Sequence, residues 1–261
     1  MEKDAEFAKD WPTLGKAIES GIESHDGREA QLLAYMLSHN PTHPLDVLST
    51  IDEFSLREDF LISVGPNKAD ILRDLIMREK PRMLVELGGY LGYSAVLFAD
   101  AMVKAHEGDE GLKIYSLELD PICAAIARQI AQIAGLAHII EVVEGTAASS
   151  ITNLVKENKI TSVDFLFLDH VEDLYEQDFK VVEALSVLKK GAVVVADNVI
   201  RPGAPEYREF IRGDMKKEQG WESRGVKGLI WPGNFEDELE VSNKNACSLY
   251  QISKDIQIAS K

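Results

Sequence analysis

From residue 83 onward the chain repeats one pattern: a short apolar run, then a stretch with helical spacing. The apolar runs are residues 83–87, 114–119, 139–144, 163–168 and 192–196. Helical patterns fall between them at 93–105, 121–134, 147–157 and 175–188. Apolar strands alternating with helices predict a parallel sheet covered on both faces. Pro121 suits a first helical turn, with Asp120 as its cap. The stretch from 221 to 252 reads as strand, loop and strand, and predicts an antiparallel edge. Ahead of the sheet, short helices are expected at 31–37 and 44–54, and a third is capped by Asn67 and presents Ile71, Leu72, Leu75 and Ile76 on one face. The fold expected is α/β: a doubly wound, mostly parallel Rossmann-like sheet with N-terminal helices. Residues 1–25 form a polar extension with a weak helical pattern around 11–22, and residues 26–261 a single domain.

The first strand–helix joint is the most specific. It reads Val85-Glu86-Leu87-Gly88-Gly89-Tyr90-Leu91-Gly92-Tyr93-Ser94. No G-x-G-x-x-G occurs, so a dinucleotide pyrophosphate is not indicated, and no Gly-Lys-Ser/Thr follows for a phosphate loop. The remaining pattern, E-x-G-x-x-x-G, suits a cofactor with a ribose and a cationic sulfonium. Taken alone, the joint is also compatible with an ordinary turn between strand and helix.

In an open parallel sheet, ligands sit beyond the carboxyl ends of the strands. Residues at those ends are therefore the candidate site. Glu118, at the second strand end, is placed to bind ribose hydroxyls, or is a solvated loop acid. The fourth strand ends in Asp169-His170 and the fifth in Asp197-Asn198. Two carboxylates and an amide at neighbouring strand ends form an oxygen donor set for a hard cation, magnesium being the natural choice. The alternative for Asp197 is a turn cap. His170 has no partner at zinc-ligand spacing and is expected to pack on an adenine or on the metal shell. The other histidines read as surface residues. No G-x-S-x-G elbow supports hydrolase chemistry.

The formal net charge of −16 argues against nucleic acid and anionic membranes as partners. No apolar run is long enough for a membrane span, and the acidic N-terminus lacks the plan of a secretory signal. Cys123 and Cys247 form no framework. A cytoplasmic monomer acting on a small molecule is expected.

Several pieces, in order and spacing, resemble the catechol O-methyltransferase family. They are Leu84-Val85-Glu86-Leu87-Gly88 with Gly92-Tyr93-Ser94-Ala95-Val96, then Cys123-Ala124-Ala125-Ile126, Ala134-Gly135-Leu136 and Phe167-Leu168-Asp169-His170. Ala196-Asp197-Asn198-Val199-Ile200 with Pro202-Gly203 completes them. The resemblance runs from about Arg28 to Ile252. It implies a class I methyltransferase that uses S-adenosylmethionine and magnesium to methylate one hydroxyl of a catechol. By matching positions, Asp169, Asp197 and Asn198 would hold the metal. Val64, Glu86, Gly88, Tyr90, Ser94, Glu118, Ala147, Asp169 and His170 would meet the cofactor, with Gly88 allowing close backbone approach. Phe60 and Pro202 would wall the substrate, which Asp169 and Asn198 would also face. Asp237, within an acidic run that also reads as a solvated loop, would take the second hydroxyl.

The chain departs from the family at two places. The tryptophan and catalytic lysine after the Asp-His pair are replaced by Val171 and Glu172. Three readings follow: Glu172 accepts the proton with a pKa raised by desolvation, Lys68 takes over part of the role, or the acceptor is not a catechol. The polar pair beside the adenine falls on Ala147 and Ala148, which leaves backbone contacts or none there.

Overall fold

A computed structural model describes residues 10–233 and 235–244. Residues 1–9 of the expected extension, Cys247 and the end of the family resemblance lie outside the described residues. The chain order is α1 (Pro12–Ser20), α2 (Arg28–His39), α3 (Pro44–Arg57), α4 (Gly65–Glu79), β1 (Met83–Leu87), α5 (Tyr93–His106), β2 (Lys113–Glu118) and α6 (Pro121–Ile133). It continues with β3 (Ile140–Glu144), α7 (Ala147–Lys156), β4 (Val163–Leu168), α8 (Tyr175–Ala184), β5 (Leu188–Ala196), α9 (Pro205–Arg212), α10 (Asp214–Gln219), β6 (Trp221–Leu229) and β7 (Glu236–Lys244).

The strands form one sheet in the order β3-β2-β1-β4-β5-β7-β6. The first five are parallel, and the β6–β7 hairpin adds the antiparallel edge. The strand order reverses between β1 and β4, which opens a crevice beyond their carboxyl ends.

Period-two alternation along each strand builds two apolar layers. Leu84, Phe165, Phe167, Val193 and Val195 face the layer covered by α2 to α6. Val85, Leu166, Leu168, Val194 and Ala196 face the layer covered by α7 to α10. The helix α5 lies deep in the first layer, with eleven residues buried along it. Its Phe98 ring packs on Phe165 and Phe167 at 5.9 and 5.1 Å, and truncating such a side chain typically costs about 3–5 kcal/mol.

Several local expectations are corrected. Asn67 does not cap α4, which begins at Gly65; its Oδ1 instead accepts from the Leu229 amide at 2.8 Å. The helix expected over 175–188 stops at Ala184, and β5 starts at Leu188 rather than 192. The first turn of β5 is polar and exposed, and a register shift separates it from the buried half, so the apolar pattern misses it. Helices α9 and α10 were not anticipated. The Asp120 cap is present: its carboxylate accepts from the Ile122 and Cys123 amides. The helix α1 is docked rather than loose. Leu14 and Ala17 are buried, and the Thr13 hydroxyl donates to the Ser55 carbonyl at 2.7 Å. Among the described residues, no helix is long and apolar enough to cross a membrane.

Candidate active site

The crevice is best built strand by strand. β1 brings Glu86 to its floor, fully buried beside its register partner Ser116 on β2. The Ser116 hydroxyl donates to Glu86 Oε2 at 2.5 Å. Burial pushes the Glu86 carboxyl up to about 7, against the opposing pull of the Ser116 and Ser94 hydroxyls. Glu86 Oε1 is buried with no hydrogen-bond partner. Ser94 itself is buried in the first turn of α5.

The glycine loop follows. Gly88 has a φ of +93°, and a Cβ there would fall 2.1 Å from the Asp169 carbonyl oxygen. The glycine expected to admit a cofactor therefore serves first to let the loops after β1 and β4 touch. Tyr90, at φ 39°, has a buried hydroxyl without a partner. Glu118, at the end of β2, accepts from the Gly89 and Tyr90 amides through Oε2 at 3.1 and 2.7 Å, and from the Asp120 amide through Oε1 at 2.8 Å. In this arrangement it anchors the loop. Ala147 opens α7 and packs partly buried against the second layer.

The end of β4 carries Asp169 and His170. The Asp169 carboxyl is held well above the usual carboxylate range by desolvation and by the neighbouring charge of Asp197. His170 Nε2 meets Asp178 Oδ2 at 2.9 Å and its ring lies 5.1 Å from that of Tyr175. A carboxylate at Nε2 favours the hydrogen there, which leaves Nδ1 as an acceptor; Nδ1 is buried and unpartnered. Val171 is exposed, and Glu172 begins a single 3₁₀ turn, Glu172–Leu174. Burial raises the Glu172 carboxyl, with the charges of Asp173 and Asp197 adding to the effect.

The end of β5 carries Asp197 and Asn198, and here the structure adds a partner. Lys68, buried on α4, places Nζ 2.5 Å from Asp197 Oδ1 and 2.6 Å from Asp237 Oδ2. Burial works against its charge, but Asp197 and Asp237 outweigh it and hold the ammonium above its ordinary pKa. In this arrangement Lys68 is an ammonium gripped by two carboxylates, a state it would have to leave to accept a proton. Asp237 belongs to the same cluster. Its Oδ1 accepts from the Ile200 and Arg201 amides, and its Oδ2 accepts from Asn198 Nδ2 as well as from Lys68. Both oxygens are committed to shaping the turn after β5. Asn198 adopts a left-handed φ of 55° and also donates through Nδ2 to the Arg201 carbonyl, which leaves its amide oxygen as the atom available to a cation.

Asp169, Asp197 and Asn198 thus stand at adjacent strand ends. Among the described residues, no three His, Cys, Asp or Glu side chains form a metal cage, so any cation site here depends on the Asn198 amide. The donor chemistry fits a hard cation. Lys68 pairs with Asp197 and Asp237 but not with Asp169, whose carboxyl is pushed up by burial and by the charge of Asp197; a divalent ion would favour the ionised form of that pair. Val64 is buried just ahead of α4, and Pro202 is exposed after a cis peptide. Phe60 is buried in a separate cluster with Leu14 and Ala17 of α1.

Sequence reasoning missed Ser116 and Asp178. Ser116 is legible only once β1 and β2 are in register. Asp178 sits in the first turn of α8, eight residues after the histidine it orients.

The O-methyltransferase family model matches residues 45–210. The chain is 34% identical to bovine (Bos taurus) catechol O-methyltransferase over 192 residues, covering 73% of this chain and 68% of that protein. It is 37% identical to catechol O-methyltransferase B of Danio rerio, over 76% of this chain and 72% of that protein. Among solved structures, an O-methyltransferase from Bacillus cereus in complex with SAH superposes with a TM-score of 0.62 at 20% identity, covering 91% of this chain and 99% of that one.

Proposed function

The chain belongs to the O-methyltransferase family, and from that premise we propose that it moves a methyl group from S-adenosylmethionine to one hydroxyl of a catechol-type small molecule with the help of magnesium. The observation that carries this reading is the juxtaposition of two features at the β1–β4 crevice. On one side are buried polar atoms without partners: Glu86 Oε1, Tyr90 OH and His170 Nδ1. On the other are Asp169, Asp197 and Asn198, an oxygen donor set whose carboxyl pair is pushed up by burial.

Each residue then has a task. Glu86 and His170 accept hydrogen bonds from the cofactor, and Glu118 supports its ribose from the β2 end. Asp169, Asp197 and Asn198 would hold the metal, which when bound lowers the pKa of a chelated hydroxyl. Lys68 holds Asp197 in place and offsets part of the burial that raises its carboxyl. Glu172 receives the hydroxyl proton as the oxygen–methyl bond forms and the sulfur–methyl bond breaks; its raised pKa brings it closer to the range useful for that transfer. The fixed crevice contributes mainly orientation. We further read the protein as a cytoplasmic monomer, consistent with its strongly acidic composition.

One observation favours a second reading. Glu172 puts a negative charge where the family resemblance implies a lysine, and a catecholate would be repelled by it. A same-fold O-methyltransferase for another hydroxylated small molecule, or a cofactor-binding protein with little turnover, accommodates that charge. Mass spectrometry of a reaction with S-adenosylmethionine, magnesium and 3,4-dihydroxybenzoate decides between them. A mono-methylated product that vanishes with a chelator is expected. Retained cofactor binding with no product would favour the second reading.

A further inference from the structure

The helix α1 and the β6–β7 loop meet in a small aromatic assembly that neither apolar layer contains. Leu14, Ala17 and Phe60 are buried there, and Trp11 and Phe235 pack against them while staying partly open. Trp11 meets the ring of Trp231 edge-on at 5.8 Å. Trp231, also partly open, is held by its Nε1, which donates to the Asp52 carbonyl at 3.2 Å.

Two geometric relations tie this assembly to the acid cluster. Trp231 is seated on Gly65, where a Cβ would fall 2.1 Å from the Trp231 Cβ. Gly65 and Lys68 are three residues apart on α4 and so share one face of that helix. The face that carries Trp231 therefore carries the ammonium that grips Asp197 and Asp237. On the other flank, Phe235 precedes Asp237 by two residues, which places both side chains on the same side of the strand as it enters β7. Arg201 joins the two: its amide donates to Asp237 Oδ1 at 2.9 Å, and its guanidinium lies 4.9 Å from the Phe235 ring centroid.

We propose that Trp231, with Trp11 and Phe235 beside it, is the wall against which the aromatic ring of the acceptor stacks, and that α1 sets the size limit of that acceptor. The inference rests on the methyltransferase reading for the identity of the acceptor. The chemistry is that of a flat hydroxylated ring: its oxygens face Asp169 and Asn198, and its apolar body meets partly open aromatic surface. Aromatic pairs of this kind contribute enough to change binding several-fold. Because Trp11 is supplied by α1, the acceptor side of the crevice is shaped by residues outside the strand ends that define the fold.

The test is calorimetric binding of 3,4-dihydroxybenzoate, in the presence of magnesium and S-adenosylhomocysteine, to the full chain and to Trp231→Ala, Trp231→Phe and Trp11→Ala, with turnover measured in parallel. Trp231→Ala is expected to weaken acceptor binding about five- to tenfold. Trp231→Phe should recover most of the loss, Trp11→Ala should lose less, and affinity for S-adenosylhomocysteine should hold throughout. Trp11→Ala should also improve turnover of a catechol with a bulky ring substituent relative to 3,4-dihydroxybenzoate. Unchanged acceptor affinity in Trp231→Ala, or an equal loss of cofactor affinity and thermal stability, overturns the proposal while leaving the methyltransferase reading intact. Trp231-dependent binding without methyl transfer in the wild type upholds the wall and removes the catalytic reading. A wild type that does not bind 3,4-dihydroxybenzoate at all overturns the wall for catechols and favours the reading with another acceptor.

Discussion

The two halves of the crevice handle buried polarity in opposite ways. The β1–β2 half holds Glu86, Tyr90 and Glu118, and leaves a carboxyl oxygen and a phenol hydroxyl buried without partners. The β5–β7 half holds Asp197, Asn198 and Asp237, and saturates itself through Lys68 and the amides of the following turn. Orphaned polar atoms cost free energy that a bound ligand or water can return. A saturated ion cluster carries a desolvation cost that its mutual pairing offsets, and it keeps its geometry fixed. The first half is therefore the one that should respond most to a bound cofactor, and the second the one most damaged by removing a member.

The largest effect is expected for Lys68→Met, which leaves Asp197 and Asp237 buried without their cation. Urea unfolding should show a loss of about 3–5 kcal/mol, and an unchanged midpoint would mean the cluster is not the tight ion pair described. Next comes the pH dependence of Glu86. Its carboxyl titrates at about 7 folded against 4.5 unfolded, so between those values the native state holds the extra proton. Its contribution is fully present below about pH 4.5 and is lost as pH rises toward 7, by up to about 3 kcal/mol. Glu86→Gln should flatten that slope in thermal melts of the cofactor-free protein.

Asp197→Ala should cost about a hundredfold or more in magnesium-dependent methyl transfer; full activity would remove the proposed metal site. Glu118→Ala should weaken S-adenosylmethionine about tenfold by calorimetry, since it loosens the glycine loop as well as any ribose contact. The smallest change is expected from Glu172→Lys. It should lower transfer to catechols a few-fold, because it removes the proposed proton acceptor. An unchanged or raised rate would mean that the Glu172 charge opposes the catecholate and that Glu172 is not the working base.

Much of this molecule is legible before any coordinates. The central parallel strands announce themselves because their apolar runs are buried on both faces, and Asp169 and Asp197 stand out because each directly follows an apolar run, with Asn198 next to Asp197. What stays hidden depends on contacts distant in sequence. Asn67 has the chemistry of a cap, yet it bonds to Leu229 because the hairpin lies against α4. Lys68 resembles any helix lysine until two acids 129 and 169 residues away close on it. The helix α1 reads as weak and polar because only one side of it, around Leu14 and Ala17, finds a partner surface. α9 is masked by its high charge, although Tyr207, Phe210 and Ile211 sit at helical spacing.

The contact between Gly88 and the Asp169 carbonyl makes the floor of the crevice behave like a machinist's jig. The separation of its two halves is set by main chain meeting main chain, a dimension that side-chain replacement elsewhere cannot reset. The outer parts of the crevice, carried by the hairpin and α1, are free to drift in shape without changing that dimension. A lineage could thus retool what the protein accepts while the reach between donor and acceptor stays as it was machined.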